Sequence, residues 1–537
     1  MVPAPPAPPR APVVLVCDKL SAAGLAVLAE AGVEARPRTA ATDEELLAEV
    51  GDVDGILVRS ATRVTEAVLA AGTRLRAVGR AGIGVDNIDI AAATRHGVVV
   101  MNTPTANAIT TAELAIAHLL ALARHLPASD RSMKEGRWDK SAFVGTELTG
   151  KTIVVVGLGK IGRVVAERAL GLRMRVLAHD PFLRGDSPVS GVELVDWDTA
   201  LREADVLTLH VPRTKDTLRL VDAAALAAMK PTAWLINCAR GGIVVEEDLV
   251  RALQAGGIAR AALDVFEHEP LPPDSPLRAR DDVVLTPHLG ASSDEAQERV
   301  ATEIARQMVA YLVRDEAHNA LNAPALAADA LAALRPWITL ARRCGSLLGQ
   351  VAGSPPARVD IVYGGQLLGH DTEAIRRAVV AGLLSPSLDA PVNVVNAPLV
   401  AEERGVEIFE RRDEHPERYA DVLRLEVTGA DGSRTRVAGA VYRGQPRLLT
   451  LDGFGLDAVP EGEMLLTEHH DRPGVLGLVA SWLGERGVNI EALHMGAPLP
   501  GRDLALALYQ LGRALDDVEV TELEGLPPIV RAQAIHL

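Results

Sequence analysis

The sequence predicts an α/β chain: parallel sheets covered by helices, then an α+β segment and a closing βαββαβ unit. Three observations carry this. From Ala11 to about Val100, short β-branched runs alternate with alanine-rich helical stretches, the rhythm of parallel strands joined by helices. The rhythm restarts at "GKTIVVVGLGKIGRVVAERALGLRMRVLAHDP" and runs to "DVVLTPHLG". From about residue 463 the order becomes strand, helix, strand, strand, helix, strand, which is the ferredoxin-like arrangement.

In chain order, "PVVLVCD", "GILVRS", "LRAVGRAG" and "VVVMN" read as strands, with "SAAGLAVLAEAG", "TEAVLAAG" and "DIAAATRHG" as helical connections. "TTAELAIAHLLALARHLP" repeats apolar residues at i, i+3, i+4 and i+7. It is expected to form one long buried helix that ends at Pro127 and joins two lobes. The second lobe supplies "ADVLTLHVP", "AWLINCARGG", "RAALDVFE" and "DVVLTPHLG", followed by the amphipathic "SSDEAQERVATEIARQMVAYLVRDE". A new unit opens near 330, where "TGADGSRT" between "DVLRLEV" and "RVAGAVY" signals a hairpin. The closing unit reads "EMLLTEH", "GVLGLVASWLGERG", "VNIEALHMG", "LALALYQL", "DVEVTELEGL" and "IVRAQAIHL".

At 537 residues the chain is too long for one core. Its 48% hydrophobic and 23% charged residues are those of an ordinary folded protein. A formal charge of -16 argues against an electrostatically recruited nucleic acid. Cys17, Cys238 and Cys344 match no zinc or disulfide spacing, so a reducing compartment, the cytoplasm, and no metal are expected. Nothing approaches the ~20-residue apolar run of a membrane helix. "MVPAPPAPPR" lacks a signal-peptide core, and residues 1–10 read as a frayed tail.

"VVVGLGKIG" sets Gly157, Gly159 and Gly162 in G-x-G-x-x-G spacing after an apolar strand, with a helix opening at Lys160 and Asp180 closing the next strand. That context is a dinucleotide site on a Rossmann-like sheet. Gly157 permits the turn, Gly159 lets backbone approach the pyrophosphate, and Gly162 lets helix and strand pack. Asp180 would accept from ribose hydroxyls and repel a 2'-phosphate, which favours NAD. A plain βα turn with a surface aspartate is the competing reading. Because the motif opens in mid-chain, the cofactor domain either interrupts a substrate domain or follows one.

Three later stretches put polar residues at strand ends: "INCARGG" with Arg240, "LDVFEHEP" with Asp264 and Glu269, and "LTPHLGASS" with His288. Strand ends of open α/β sheets line the ligand crevice. Hydride removal from an alcohol needs a base for the hydroxyl proton, a carboxylate to orient that base, and a cation to grip a substrate anion. Taken singly, the His after Pro and the Glu before Pro270 are ordinary structural residues. Their order on consecutive strand ends is what favours a site. His179, His210 and His268 are expected to be structural.

Together, "GRAGIGVDNID", "VVVGLGKIG", "NCARGG", "ALDVFEHEP" and "TPHLGASS" resemble the D-isomer-specific 2-hydroxyacid dehydrogenases, over about residues 11 to 325. The resemblance implies a flavodoxin-like substrate domain split into 11–109 and 295–325, with the NAD domain, 110–294, inserted between. It implies Arg240 on the substrate carboxylate, His288 as acid/base, and Glu269 rather than Glu267 as its partner. Asp264, Val211, Cys238, Ala239, His288, Gly290 and Ala291 would border the nicotinamide end. Lys160 and Ile161 would flank the pyrophosphate.

"LVRSAT" and "RAGIG" place Arg59, Ser60, Gly82 and Ile83 in the substrate pocket by the same resemblance, with Arg59 on a phosphate and Asn107 adding an amide. "GRWDKSAFVGTEL" resembles the family's dimer-contact loop, which would carry Lys140 to a neighbouring subunit. Spacing alone cannot separate phosphoglycerate from glycerate or glyoxylate. The tail tips the choice: "HHDRPGVLGLVASWLGERGVNIEALHMG" resembles an ACT domain, 463–537, and "VNVVNAPLVAEERGVEI" resembles the intervening domain, 326–457, of the family's long members. These oxidise D-3-phosphoglycerate to 3-phosphohydroxypyruvate with NAD, the first step of serine biosynthesis, as dimers or homotetramers. Their effector, L-serine, would meet His469, Asp471 and Asn489, and His469 and Asp471 are expected to share a strand face. Glyoxylate or hydroxypyruvate reduction is the runner-up, and an NAD-sensing interaction protein is the rival of another class.

Overall fold

The alternating text folds as two parallel sheets in a computed structural model, which describes residues 10–38, 42–324, 328–388, 391–414, 421–496 and 503–537. Residues 1–9 of the tail expected at 1–10, and the expected start of the intervening unit at 326, lie outside the described residues. The first sheet has β1 (Val13–Val16), β2 (Glu34–Pro37), β3 (Gly55–Val58), β4 (Ala77–Arg80) and β5 (Val99–Asn102), in the order β2-β1-β3-β4-β5. All neighbours are parallel, the flavodoxin-like order. Val13 and Leu15 enter one core, Val14 and Val16 the other, so the strand is buried on both faces and reads as a continuous apolar run. Helix Asp294–Arg314 returns to this sheet and seats Val300, Ile304 and Met308 against it.

The second sheet has β6 (Thr152–Val156), β7 (Arg175–His179), β8 (Val192–Leu194), β9 (Val206–Leu209), β10 (Trp234–Asn237), β11 (Arg260–Leu263) and β12 (Val283–Leu285). Its order, β12-β11-β10-β9-β6-β7-β8, reverses between β6 and β9, which opens a crevice at the carboxyl ends of those strands. β8, three residues long, is too short to leave a periodic signal.

The single helix expected to end at Pro127 is two helices, Ala108–Arg124 and Leu126–Lys134. His125 stands between them at a left-handed φ of 52°. Pro127 starts rather than stops a helix, because the N–H groups of a first turn have no intrahelical partner and proline loses nothing there.

The third sheet has β13 (Pro356–Gly364), β14 (Glu407–Asp413), β15 (Val422–Gly429), β16 (Arg434–Tyr442), β17 (Gln445–Leu451) and β18 (Phe454–Ala458), with the expected hairpin at β15 and β16. Helices Ala328–Val351 and Glu373–Leu384 cross in close contact: a Cβ at Gly382 would stand 2.1 Å from the Arg342 carbonyl oxygen, and one at Gly345 2.3 Å from that of Val379. The fourth sheet has β19 (Glu463–His470), β20 (Ile490–Gly496), β21 (Leu504–Leu511) and β22 (Ile529–His536), in the antiparallel order β20-β21-β19-β22 expected of the ferredoxin-like unit. Leu465 and Tyr509 face its helices, while Met464, Leu466, Leu506 and Leu508 join the core of the third sheet. The two C-terminal units therefore share one core.

Gly382→Val should force the two crossed helices apart at a cost of about 1–3 kcal/mol. A lower midpoint of the first urea transition of the whole chain would show it; an unchanged midpoint would mean the helices separate freely.

Candidate active site

The carboxyl ends of the first two sheets meet at a cleft of about 450 Å³. Helix Lys160–Gly171 begins at its edge, and Lys160 and Ile161 line it. The turn before that helix requires glycine at 157 and 162. Gly157 has φ 88°, and a Cβ there would meet the His210 carbonyl oxygen at 2.7 Å; a Cβ at Gly162 would meet the Gly157 carbonyl oxygen at 2.0 Å. Gly159 has no neighbour within 4 Å of where a Cβ would stand, so its backbone is open to a ligand. Asp180, just past β7, accepts from the Leu158 N–H at 2.9 Å and the Phe182 N–H at 3.0 Å, which fixes its carboxylate beside the glycine turn.

From the second sheet, Cys238, Ala239 and Arg240 follow β10, Asp264 follows β11, and His288, Gly290 and Ala291 follow β12; all line the cleft. Gly241 lets two of these loops touch, since a Cβ there would stand 1.7 Å from the Phe266 carbonyl oxygen. His288 sits at φ 54° and holds Glu269 Oε2 at 2.7 Å through Nδ1. The other oxygen of Glu269 accepts from the Phe266 N–H at 3.0 Å. Partial burial pushes the Glu269 carboxyl up, but the hydrogen bonds from His288 and Phe266 outweigh it and hold its pKa below the ordinary value. The stabilisation this gives is present above the unfolded carboxylate pKa and is lost as pH falls through the lowered one. Glu267 is tied elsewhere: it accepts from the Glu246 N–H at 3.0 Å and its own N–H donates to Glu246 at 2.6 Å.

Arg240 donates from Nε to Asp86 of the first lobe at 3.0 Å and from Nη1 to the Ala239 carbonyl at 2.6 Å. The first lobe adds Arg80, which sequence reasoning did not single out although it ends β4 inside "GRAGIGVDNID". Burial, then the neighbouring charges of Arg240 and Arg59, pull the pKa of Arg80 down to about 10. Three guanidinium groups thus surround one region, an arrangement suited to an anion. Asn107 and Ile83 also line the cleft; Arg59 lines an adjoining cavity with Lys19 and Ala291. Gly82, at φ 146°, sits in the turn after β4, and Ser60 is exposed and outside the cleft lining.

Val211 lines the cleft as expected, and so does His210, expected only to be structural. Its ring is buried and its pKa is lowered to about 3 by that burial, so it is neutral. Among the described residues, Arg80 Nε, Asn107 Oδ1 and His210 Nδ1 are buried without a hydrogen-bond partner, and all three residues line the cleft. Buried polar atoms without partners, in a cleft with a glycine turn at its edge, fit a dinucleotide and an anionic substrate.

His469 is 2% exposed, bonds Thr467 at 3.4 Å, and has its pKa lowered by burial. β19 ends at His470, so strand alternation does not set the face of Asp471, contrary to expectation. Asp471 and Asn489 are exposed. Lys140 lies in the exposed turn Lys140–Ala142 and does not line this chain's cleft.

Residues 116–290 match the family model of the D-isomer specific 2-hydroxyacid dehydrogenase NAD binding domain, and residues 333–452 that of the D-3-phosphoglycerate dehydrogenase intervening domain. D-3-phosphoglycerate dehydrogenase of Synechocystis sp. is 41% identical over 98% of this chain and 94% of its own. That of Methanocaldococcus jannaschii is 39% identical over 98% of this chain and 99% of its own. Among solved structures, an NAD-dependent formate dehydrogenase from Staphylococcus aureus in complex with NAD has a TM-score of 0.52 at 29% identity, covering 57% of this chain and 96% of that one.

Gly241→Ala should part the Arg240 loop from the Phe266 backbone and lower stability by about 1–3 kcal/mol. Thermal unfolding checks this, with an unchanged melting temperature as the contrary result.

Proposed function

The chain belongs to the D-3-phosphoglycerate dehydrogenase family, and from that membership we propose that it oxidises D-3-phosphoglycerate to 3-phosphohydroxypyruvate with NAD. The observation that carries the reading is the His288–Glu269 pair, whose histidine lines a cleft with Arg240 and Arg80.

The 157–162 turn, Lys160, Ile161 and Asp180 would hold NAD, which would supply the hydride acceptor. Asp180 would take the ribose hydroxyls; Val211, Cys238, Ala239, Asp264, Gly290 and Ala291 would border the nicotinamide end. The remaining work belongs to the chain's own groups. Because Nδ1 of His288 donates to the Glu269 carboxylate, Nε2 carries the lone pair and takes the hydroxyl proton. Glu269, pinned by the Phe266 N–H, then faces the imidazolium and stabilises its charge. Arg240 keeps Nη2 for the substrate carboxylate and for the oxygen on which charge changes as the carbonyl forms. Arg80, Ile83 and Asn107 in the cleft, with Arg59 from the adjoining cavity, would take the phosphate.

The proposal includes an oligomer in which Lys140 reaches a neighbouring cleft. Trp138, 80% exposed, and Val144, 73% exposed, flank it and support an interface there. It includes an ACT unit that binds L-serine between paired copies at His469, Asp471 and Asn489; the exposure of Asp471 and Asn489 supports that, and buried His469 would act from behind them. A cytoplasmic location is part of the reading. Among the described residues no helix is long and apolar enough to cross a membrane.

NADH absorbance at 340 nm, followed with phosphoglycerate, glycerate and glyoxylate in the matching directions, with and without L-serine, tests the whole. Phosphoglycerate should be preferred and serine should slow turnover. Preference for glycerate or glyoxylate would make the chain a reductase of that class, and no turnover would leave an NAD-sensing protein. His288→Ala should lower kcat by about 10²–10⁴-fold; full activity would remove the acid/base role. Asp180→Ala should raise the KM for NAD by about tenfold or more through loss of a charged hydrogen bond, and should admit NADP.

A further inference from the structure

Helix Ala108–Arg124 carries a histidine that the proposed chemistry does not use. His118 is 3% exposed and lies between two loops of the cleft. Its Nδ1 is 3.5 Å from Cys238 Sγ, in the loop of Arg240, and its Nε2 is 3.0 Å from Thr286 Oγ1, in the loop of His288. Thr286 Oγ1 is in turn 2.6 Å from Asp264 Oδ1.

The direction of every bond in this chain follows from one end. The Asp264 carboxylate accepts the Leu289 N–H at 2.7 Å on Oδ1 and the Gly290 N–H at 2.9 Å on Oδ2, so it stands as an acceptor. Thr286 has one hydroxyl hydrogen and gives it to Asp264. Its lone pair is left for His118, so Nε2 of His118 carries the hydrogen. Burial lowers the His118 pKa and so favours the neutral ring, in which Nδ1 is the acceptor. Burial, and then Asp264, push the Cys238 thiol up, so it keeps the proton that it donates. The order is Cys238 to His118 to Thr286 to Asp264 to the N–H groups of residues 289 and 290.

Those N–H groups belong to the two residues after His288, whose own N–H donates to the Asp264 carbonyl at 2.9 Å. Two turns earlier on the same helix, Thr111 donates to the Gly290 carbonyl at 2.7 Å. One face of the helix therefore grips the His288 turn at both ends. A side chain at φ 54° needs such support, because an L-residue there is strained.

We propose that His118 is a positioning residue: in its neutral Nε2–H form it locks Thr286 onto Asp264, fixes the 288–290 turn against the Cys238–Arg240 loop, and so aims His288 for proton removal. This rests on the reading of His288 as the base.

Two measurements test it. In steady-state kinetics of the full chain, His118→Leu and Thr286→Val should each lower kcat by about tenfold, with KM for NAD held within about twofold. His118→Gln, which keeps a donor, and Thr286→Ser, which keeps the hydroxyl, should retain most of the activity. The double variant His118→Leu/Thr286→Val should be no worse than the poorer single one, as for two members of one chain. Unchanged kcat in His118→Leu, Thr286→Ser as damaging as Thr286→Val, or losses that multiply would each overturn the proposal.

The second measurement needs no turnover, and its readout is taken on the unaltered protein. Protein labelled with ¹⁵N-histidine is compared with His118→Gln to identify the ring signals of His118. A neutral Nε2–H tautomer is expected, and an Nδ1–H tautomer or an imidazolium would overturn the proposal. If His288 is not the base, His288→Ala is fully active while the His118 tautomer stays as predicted, so the two failures can be told apart.

Discussion

Parallel strands cannot be joined by tight turns; each must return through a covering helix, and every strand end then falls on the same rim of its sheet. This constraint organises the catalytic half of the molecule. Arg80 ends β4, Asp180 follows β7, and Arg240, Asp264 and His288 lie in the loops after β10, β11 and β12. Two such rims face each other across one cleft, bridged by the Arg240–Asp86 ion pair. The helices Ala108–Arg124 and Asp294–Arg314 carry the chain between the lobes, and they are packed into the cores on either side.

Charge within the cleft is arranged by burial as much as by residue choice. Arg80 is held among other arginines with Nε unbonded, at the cost of a lowered pKa. An anion placed there would relieve the repulsion among these arginines. The His288–Glu269 pair works the opposite way: its partners are already matched, and what it supplies is orientation.

Much of the site was legible because its signals are local. The spacing of Gly157, Gly159 and Gly162 dictates a turn in which side chains at Gly157 and Gly162 would meet backbone oxygens at 2.7 and 2.0 Å. His288 and Glu269 announced themselves by falling at strand ends in order. Arg80 was overlooked because an arginine at the end of a short strand has no local mark; its importance comes from Arg240 and Arg59, remote in sequence. His118 was hidden for the same reason, reading as one polar interruption in an apolar helix until Cys238 and Thr286 were seen on either side.

The sequence by itself determined the alternation of the longer strands and helices, the dinucleotide turn and the residue types at the strand ends, since each depends on neighbours within a few positions. Tertiary structure decided the rest. It split the predicted helix at His125, merged the two C-terminal cores through Met464 and Leu466, tied Glu267 to Glu246 so that Glu269 alone meets His288, and turned the buried His469 toward Thr467. Each of these is a contest between partners distant along the chain, and its outcome is set by packing and hydrogen-bond satisfaction that no local pattern records.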